Sequence, residues 1–157
     1  MKIRVMVCDD NEEFVANART HFAVSDKIEL VETASNGKDA LERLDAVRPD
    51  VLLLDLVMPT LDGFSVLERV NKGSMKIIVV SALSQDAFIS KAMNLGADFY
   101  MMKPVSFGVL DERIIEAVNS KRPTAKNRSM DEKISNIFIC FLSLSLSLSL
   151  SLSLSLS

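Results

Sequence analysis

The chain has 157 residues, 48% of them hydrophobic, no tryptophan and a formal net charge of −3, which fits one domain of ordinary size with ample apolar material for a core. Its two cysteines, Cys8 and Cys140, are too few for a disulfide framework and suit a reducing, cytoplasmic setting. Residues 1–120 hold 13 Lys+Arg against 19 Asp+Glu, a balance of −6, which speaks against nucleic-acid binding by this region on its own.

Met1-Lys2-Ile3-Arg4 runs straight into an apolar stretch and shows no signal peptide. That stretch, residues 3–7, is short and apolar but for Arg4, as expected for a strand buried on both faces of a parallel sheet, and Cys8-Asp9-Asp10 follow it. Residues 12–24 place Phe14, Ala18 and Phe22 on one helical face, with Glu12 and Glu13 near the positive N-terminal end. His21, the only histidine, reads as partly exposed filler on that helix rather than as a phosphohistidine. Residues 28–34 predict a second strand, and residues 37–47 a helix with Ala40, Leu41 and Leu44 inward, ended by Arg48-Pro49.

Residues 51–54 predict a third strand, ending at Asp55. A turn segment, Met58-Pro59-Thr60-Leu61-Asp62-Gly63, leads into a helix over 63–71 carrying Phe64, Leu67 and Val70. Residues 77–80 predict the fourth strand, ending at Ser81-Ala82. A helix over 85–95 follows, with Phe88, Ala92 and Leu95, stopped by a C′ glycine, Gly96. Residues 99–102 form the fifth strand, with Met101 and Met102 as core, ending at Lys103-Pro104. The last helix, 107–119, carries Leu110, Ile114 and Val118. Five strands and five helices in strict alternation predict a flavodoxin-like doubly wound five-stranded parallel sheet, order 2-1-3-4-5, with helices on both faces.

In such sheets ligands bind outside the carboxyl ends of the strands. Asp9, Asp10, Asp55, Ser81 and Lys103 therefore converge at one edge. Three crowded carboxylates repel one another, so either one is protonated or a cation sits among them. Oxygen-only ligands favour a hard divalent ion such as Mg²⁺, with Mn²⁺ or Ca²⁺ also suited. Lys103 is better placed to neutralise an incoming anion, with the Ser81 hydroxyl donating to another of its oxygens. A cation, a lysine and a hydroxyl around a carboxylate describe in-line phosphoryl transfer onto that carboxylate. Asp55 is the best acceptor, since it ends the most continuous apolar strand. Glycine-rich phosphate loops are absent from the sequence.

Asp9-Asp10, Asp55…Met58-Pro59…Asp62-Gly63, Ser81-Ala82 and Lys103-Pro104, in this order, resemble the receiver domain of two-component response regulators, over about residues 2–120. The resemblance implies that Asp55 is phosphorylated by a histidine kinase or histidine phosphotransfer protein. It implies Mg²⁺ held by Asp10, Asp55 and the Val57 carbonyl, with Asp9 acting mainly through water. It makes Ser81 the switch hydroxyl, Tyr100 the switch aromatic and Lys103 the phosphate-contacting lysine, and expects a cis Lys103–Pro104 peptide. Residues 54–69 and 83–104 are most similar to the receiver of the stage 0 sporulation protein A family, whose members join it to a DNA-binding domain. That narrower likeness implies phosphorylation-dependent homodimerisation and sporulation transcription.

Residues 121–130 carry four basic residues, no acid and Pro123, and read as a linker. Residues 131–141 resemble the start of the sporulation regulator's effector domain, and residues 142–157 are a strict Leu-Ser alternation. A CT dinucleotide tract encodes that alternation in any frame, so a frameshift or an assembly error in a longer gene is expected, and DNA binding only if the missing domain is present. Residues 134–156 reach the roughly 20-residue length of a bilayer span. Half of the repeat is serine, however, and no basic residue flanks its far end, so no membrane anchor is expected.

Two other classes fit less well. An aspartyl-phosphate hydrolase of the haloacid dehalogenase kind needs a second acid two residues after the nucleophile, where this chain has Val57. The expectation is therefore a phosphoacceptor, not a turnover enzyme. A stand-alone receiver, relaying or storing phosphoryl groups without touching DNA, is the alternative that the observed length favours. Val57 and Ala82 flank the path of attacking water without a polar side chain, so a long-lived acyl phosphate is expected.

Overall fold

In the computed structural model, residues 1–121 are described. The predicted linker beyond Lys121, the effector remnant over 131–141 and the Leu-Ser tail over 142–157 lie outside the described residues.

Five parallel strands form one sheet in the order β2-β1-β3-β4-β5, the flavodoxin-like arrangement expected from the alternation. They are β1 (Ile3–Cys8), β2 (Ile28–Ala34), β3 (Val51–Leu54), β4 (Lys76–Ser81) and β5 (Phe99–Met102). Between and after them run α1 (Glu12–Ala23), α2 (Gly37–Val47), α3 (Gly63–Arg69), α4 (Asp86–Asn94) and α5 (Phe107–Asn119). Along β1, β3 and β4 both sets of alternating residues are buried, because each face of the sheet is covered. Val5, Val7, Val51, Leu53, Ile78 and Val80 pack in one cluster with Ala18 and Phe22 of α1 and Leu110, Ile114 and Ala117 of α5. Met6, Leu52, Leu54, Ile77 and Val79 are equally buried toward the opposite layer. There Phe64 of α3 meets Phe88 of α4 at 6.1 Å between ring centroids.

Local chemistry sets most helix starts. Asn11, Asn36, Asp62 and Ser106 each cap a helix by accepting a backbone N–H three residues on. At α4 the N-cap is Gln85, which makes no side-chain capping bond. The other end of α4 is tied: Lys72, in the loop before β4, donates from Nζ to the Leu95 carbonyl at 2.8 Å. Lys76, buried at the start of β4, donates likewise to the Ser120 carbonyl at the end of α5.

Several predicted boundaries and faces are corrected. Ser81 is the last residue of β4, and Cys8 the last of β1. Helix α3 stops at Arg69 because Val70 turns extended, with ψ 132. On α4 the buried residues are Ile89, Ala92 and Met93, so Phe88 and Leu95 lie at the edge of the stripe. On α5 Ala117 is buried where Val118 was expected, and Val118 is 39% exposed. A helical apolar stripe is wider than one line of residues, and the packing angle selects which line faces inward. His21 is more than filler: its Nε2 lies 2.8 Å from Asp111 Oδ2 and its ring stacks on Phe107, 5.0 Å between centroids, joining α1 to α5.

Candidate functional site

Register brings the chemistry together. Cys8 lies beside Leu54, and Ser81 beside Met102, so the residue after each pair leaves the sheet at the same edge. Two backbone bonds lock these exits: Asp55 N–H donates to the Cys8 carbonyl at 2.9 Å, and Lys103 N–H to the Ser81 carbonyl at 2.9 Å. Asp9 N–H donates to the Ala34 carbonyl at 3.0 Å, fixing the first acid from the other side.

One carboxylate oxygen from each of Asp9, Asp10 and Asp55 falls within 4.8 Å of the others. Asp9 and Asp55 are buried, and Asp10 is exposed at the mouth. Asp55 Oδ1 accepts the Val57 N–H at 3.3 Å, which folds the chain back over the acid and leaves the Val57 side chain 56% exposed. Gly63 permits this turn: a Cβ there would collide with the Asp55 carbonyl oxygen and Leu56 Cα. Between them, Thr60 sits at φ 67, and Leu61 N–H donates to the Pro59 carbonyl at 2.7 Å across it, a tight γ-turn with a β-branched residue in left-handed space.

Lys103 enters from β5. Its ammonium donates to Asp9 Oδ2 at 2.7 Å and lies 3.6 Å from Asp55 Oδ2. The Lys103–Pro104 peptide is cis, as the sequence resemblance implies. At an effective dielectric near 20, two unit charges under about 5 Å apart repel by roughly 3–4 kcal/mol. One ammonium among three carboxylates offsets one charge and leaves two, which matches a divalent cation. Burial pushes the Asp9 carboxyl above the usual carboxylate range, and the Asp55 charge adds to this. The Lys103 hydrogen bond and the Asn11 N–H pull the other way. Beside them, burial pushes the Cys8 thiol up to about 12, so it stays protonated and inert.

Ser81 is fully buried, and its Oγ accepts the Leu83 N–H at 3.4 Å. The Tyr100 ring is 4% exposed and its hydroxyl donates to the Leu83 carbonyl at 2.7 Å. The two predicted switch residues thus share one backbone unit, a link the sequence does not carry. A cleft of about 340 Å³ opens beside the acids toward α1 and β2, lined by Asp9, Asp10, Glu12, Arg19, Thr33 and Arg43. Asp9, Asp10, Asp55, Val57, Ser81 and Lys103 stand at one edge of the sheet, while Tyr100 lies within β5 and reaches the Leu83 backbone through its hydroxyl. Sequence reasoning missed Leu83 and Phe14, whose ring lies under Lys103 Nζ at 4.9 Å. No helix among the described residues is long and apolar enough to cross a membrane.

Comparison with known proteins gives the same outline. The model of the response regulator receiver domain matches residues 5–115. The response regulator domain of Thermotoga maritima CheB superposes with TM-score 0.70 at 28% identity, over 78% of this chain and 100% of that one. The signal receiver domain of the putative response regulator NarL from Mycobacterium tuberculosis gives 0.71 at 28% identity, over 76% and 98%. A chain of the CheX–CheY–BeF3–Mg²⁺ complex from Borrelia burgdorferi, 22% identical over 75% and 90%, shares the fold with TM-score 0.67.

Proposed function

The chain belongs to the response regulator receiver family, and we propose that Asp55 is its phosphoacceptor. Receivers of this family interact with histidine kinases or phosphotransferases and hold a divalent metal in an acidic pocket, here Asp9, Asp10 and Asp55. The observation that carries the proposal is the Lys103 ammonium poised between Asp9 and Asp55 at the edge where three strands end.

Mg²⁺ suits this donor set: Asp10, Asp55 and the Val57 carbonyl would hold it, with Asp9 acting mainly through water, and it would supply charge neutralisation at the incoming phosphoryl group. An Asp55 carboxylate oxygen attacks the phosphorus of a partner's phosphohistidine. The bond to the imidazole nitrogen breaks, and the imidazole leaves with the electron pair. Lys103, already 3.6 Å from Asp55 Oδ2, pairs with the transferred oxygens. The Ser81 hydroxyl, fully buried at the end of β4, donates to another. Phosphorylation adds about −1.5 to −2 charge and three acceptor oxygens. Drawing Ser81 toward them disturbs the Leu83 backbone, and with it the carbonyl that anchors Tyr100. The surface of α4, β5 and α5 is thereby coupled to the acid, a two-state change biased by one modification.

The role we assign is signalling without turnover, in the cytoplasm, within a phosphorelay. The likeness of residues 54–69 and 83–104 to sporulation regulators supports a place in sporulation control through a phosphorylation-dependent homodimer. The test is incubation with a small phosphodonor and Mg²⁺, then intact mass. One gain of about 80 Da is expected, absent in Asp55→Asn; no gain in the wild type, or a gain that survives that substitution, ends the proposal.

A further inference from the structure

The Lys103 ammonium is enclosed on a third side. Of its three N–H donors, one meets Asp9 and another faces Asp55, while the Phe14 ring lies 4.9 Å from Nζ, within cation–π range. That ring is itself held. It stacks on Phe107, the first residue of α5, at 5.6 Å between centroids, and Phe107 is stacked in turn by His21 at 5.0 Å. Its backbone is fixed by the same acid that holds the lysine. Asp9 Oδ1 accepts the Asn11 N–H at 2.9 Å, and Asn11 Oδ1 accepts the Phe14 N–H at 3.1 Å. Asp9 Oδ2 takes the Lys103 ammonium at 2.7 Å. The interactions close a ring: Asp9, Asn11, Phe14, Lys103 and back to Asp9.

We propose that Phe14 is a positioning residue for the phosphoryl transfer proposed above, its ring face holding the Lys103 ammonium inside the acid cluster. The long lysine stem carries several free rotors, and 18% of the side chain remains exposed, so without a partner on that side the ammonium can turn out to water. The ring opposes this in two ways. Its negative face attracts Nζ, and its bulk keeps water from the side that the carboxylates do not cover. A purely structural Phe14 would fill space between α1 and α5, a task leucine performs nearly as well.

The experiment uses the full chain and the phosphoryl analogue beryllofluoride in saturating Mg²⁺. Phe14→Leu keeps apolar bulk and removes the ring; Phe14→Tyr keeps the ring. The expected result is beryllofluoride affinity about three- to tenfold weaker in Phe14→Leu, restored in Phe14→Tyr, with Mg²⁺ affinity raised in Phe14→Leu by no more than the about tenfold expected of removing the ammonium, and unchanged in Phe14→Tyr. In a Lys103→Met background, Phe14→Leu should have no further effect. Equal affinity in Phe14→Leu and wild type, no rescue by Phe14→Tyr, or an undiminished loss in the Lys103→Met background overturns the positioning role while leaving Asp55 as acceptor. A wild type that neither binds beryllofluoride nor gains phosphate overturns the acceptor assignment, and the role of Phe14 falls with it.

Discussion

Lys103 sits closer to Asp9, at 2.7 Å, than to the proposed acceptor Asp55, at 3.6 Å. Before phosphorylation its first duty is to neutralise a neighbour of the acceptor, and the two buried acids depend on it. Lys103→Met should cost about 2–4 kcal/mol in metal-free buffer, near the low end for breaking a buried pair because part of the side chain is exposed. Mg²⁺ affinity should rise about tenfold, so saturating Mg²⁺ should narrow the gap to wild type by about 1.4 kcal/mol of relieved repulsion. Thermal melts with and without Mg²⁺ measure both; a melting temperature indifferent to Mg²⁺ would contradict the charge count.

Asp9 gives a pH signature. Its folded-state pKa is raised by burial, so between the ordinary value of about 3.9 and the raised one the fold binds more protons than the unfolded chain. Stability from this group therefore falls as pH rises through that window. Asp9→Asn removes the titration. In metal-free urea melts the variant should gain on the wild type as pH climbs above about 4, show no such gain at pH 3, and level off once Asp9 is ionised in the fold. Mg²⁺ should favour the wild type instead. A stability difference that stays flat from pH 3 to 7 would refute this.

Thr60 holds φ 67 in the turn between the acceptor and α3. Left-handed space costs a β-branched residue about 1–2 kcal/mol, and glycine avoids that at some cost in chain entropy. Thr60→Gly should stabilise the domain by about 0.5–1 kcal/mol net. Denaturant midpoints read this directly, and a loss of stability would mean that the threonine side chain supports the turn.

Val57 stands over the site with its side chain 56% exposed and nothing with which to hold water. Once labelled, the wild type should keep its acyl phosphate for long periods. Val57→Asn, which can orient a water molecule, should shorten that lifetime about tenfold through positioning alone. Decay of the mass-shifted species over time measures it, and a wild-type label lost as fast as the variant's would overturn the prediction.

Most of the site was legible because its residues follow buried strands, where a continuous apolar run ending in a polar residue leaves little freedom of placement. Asp9, Asp55, Ser81 and Lys103 each sit where such a run stops. What stayed hidden depends on packing between elements far apart in sequence. Phe14 looked like one apolar position on an amphipathic helix, and only the approach of Lys103 from β5 gives its ring a charge to face. The inward phases of α4 and α5 were missed by about one residue for the same reason, since crossing angle selects among adjacent apolar lines. The turn over 58–63 was expected, but its positive φ at Thr60 was not, because threonine carries no signal for that conformation.

Helix α4 is fastened to the domain unevenly: Lys72 grips its last turn, while Gln85 leaves the first turn without a side-chain clasp, two residues from Leu83. Under the switch proposed above, a displacement of Leu83 would reach the helix at its unclasped Gln85 end, with the Lys72 end as the hinge, so the first turn of α4 is where a partner would register the change.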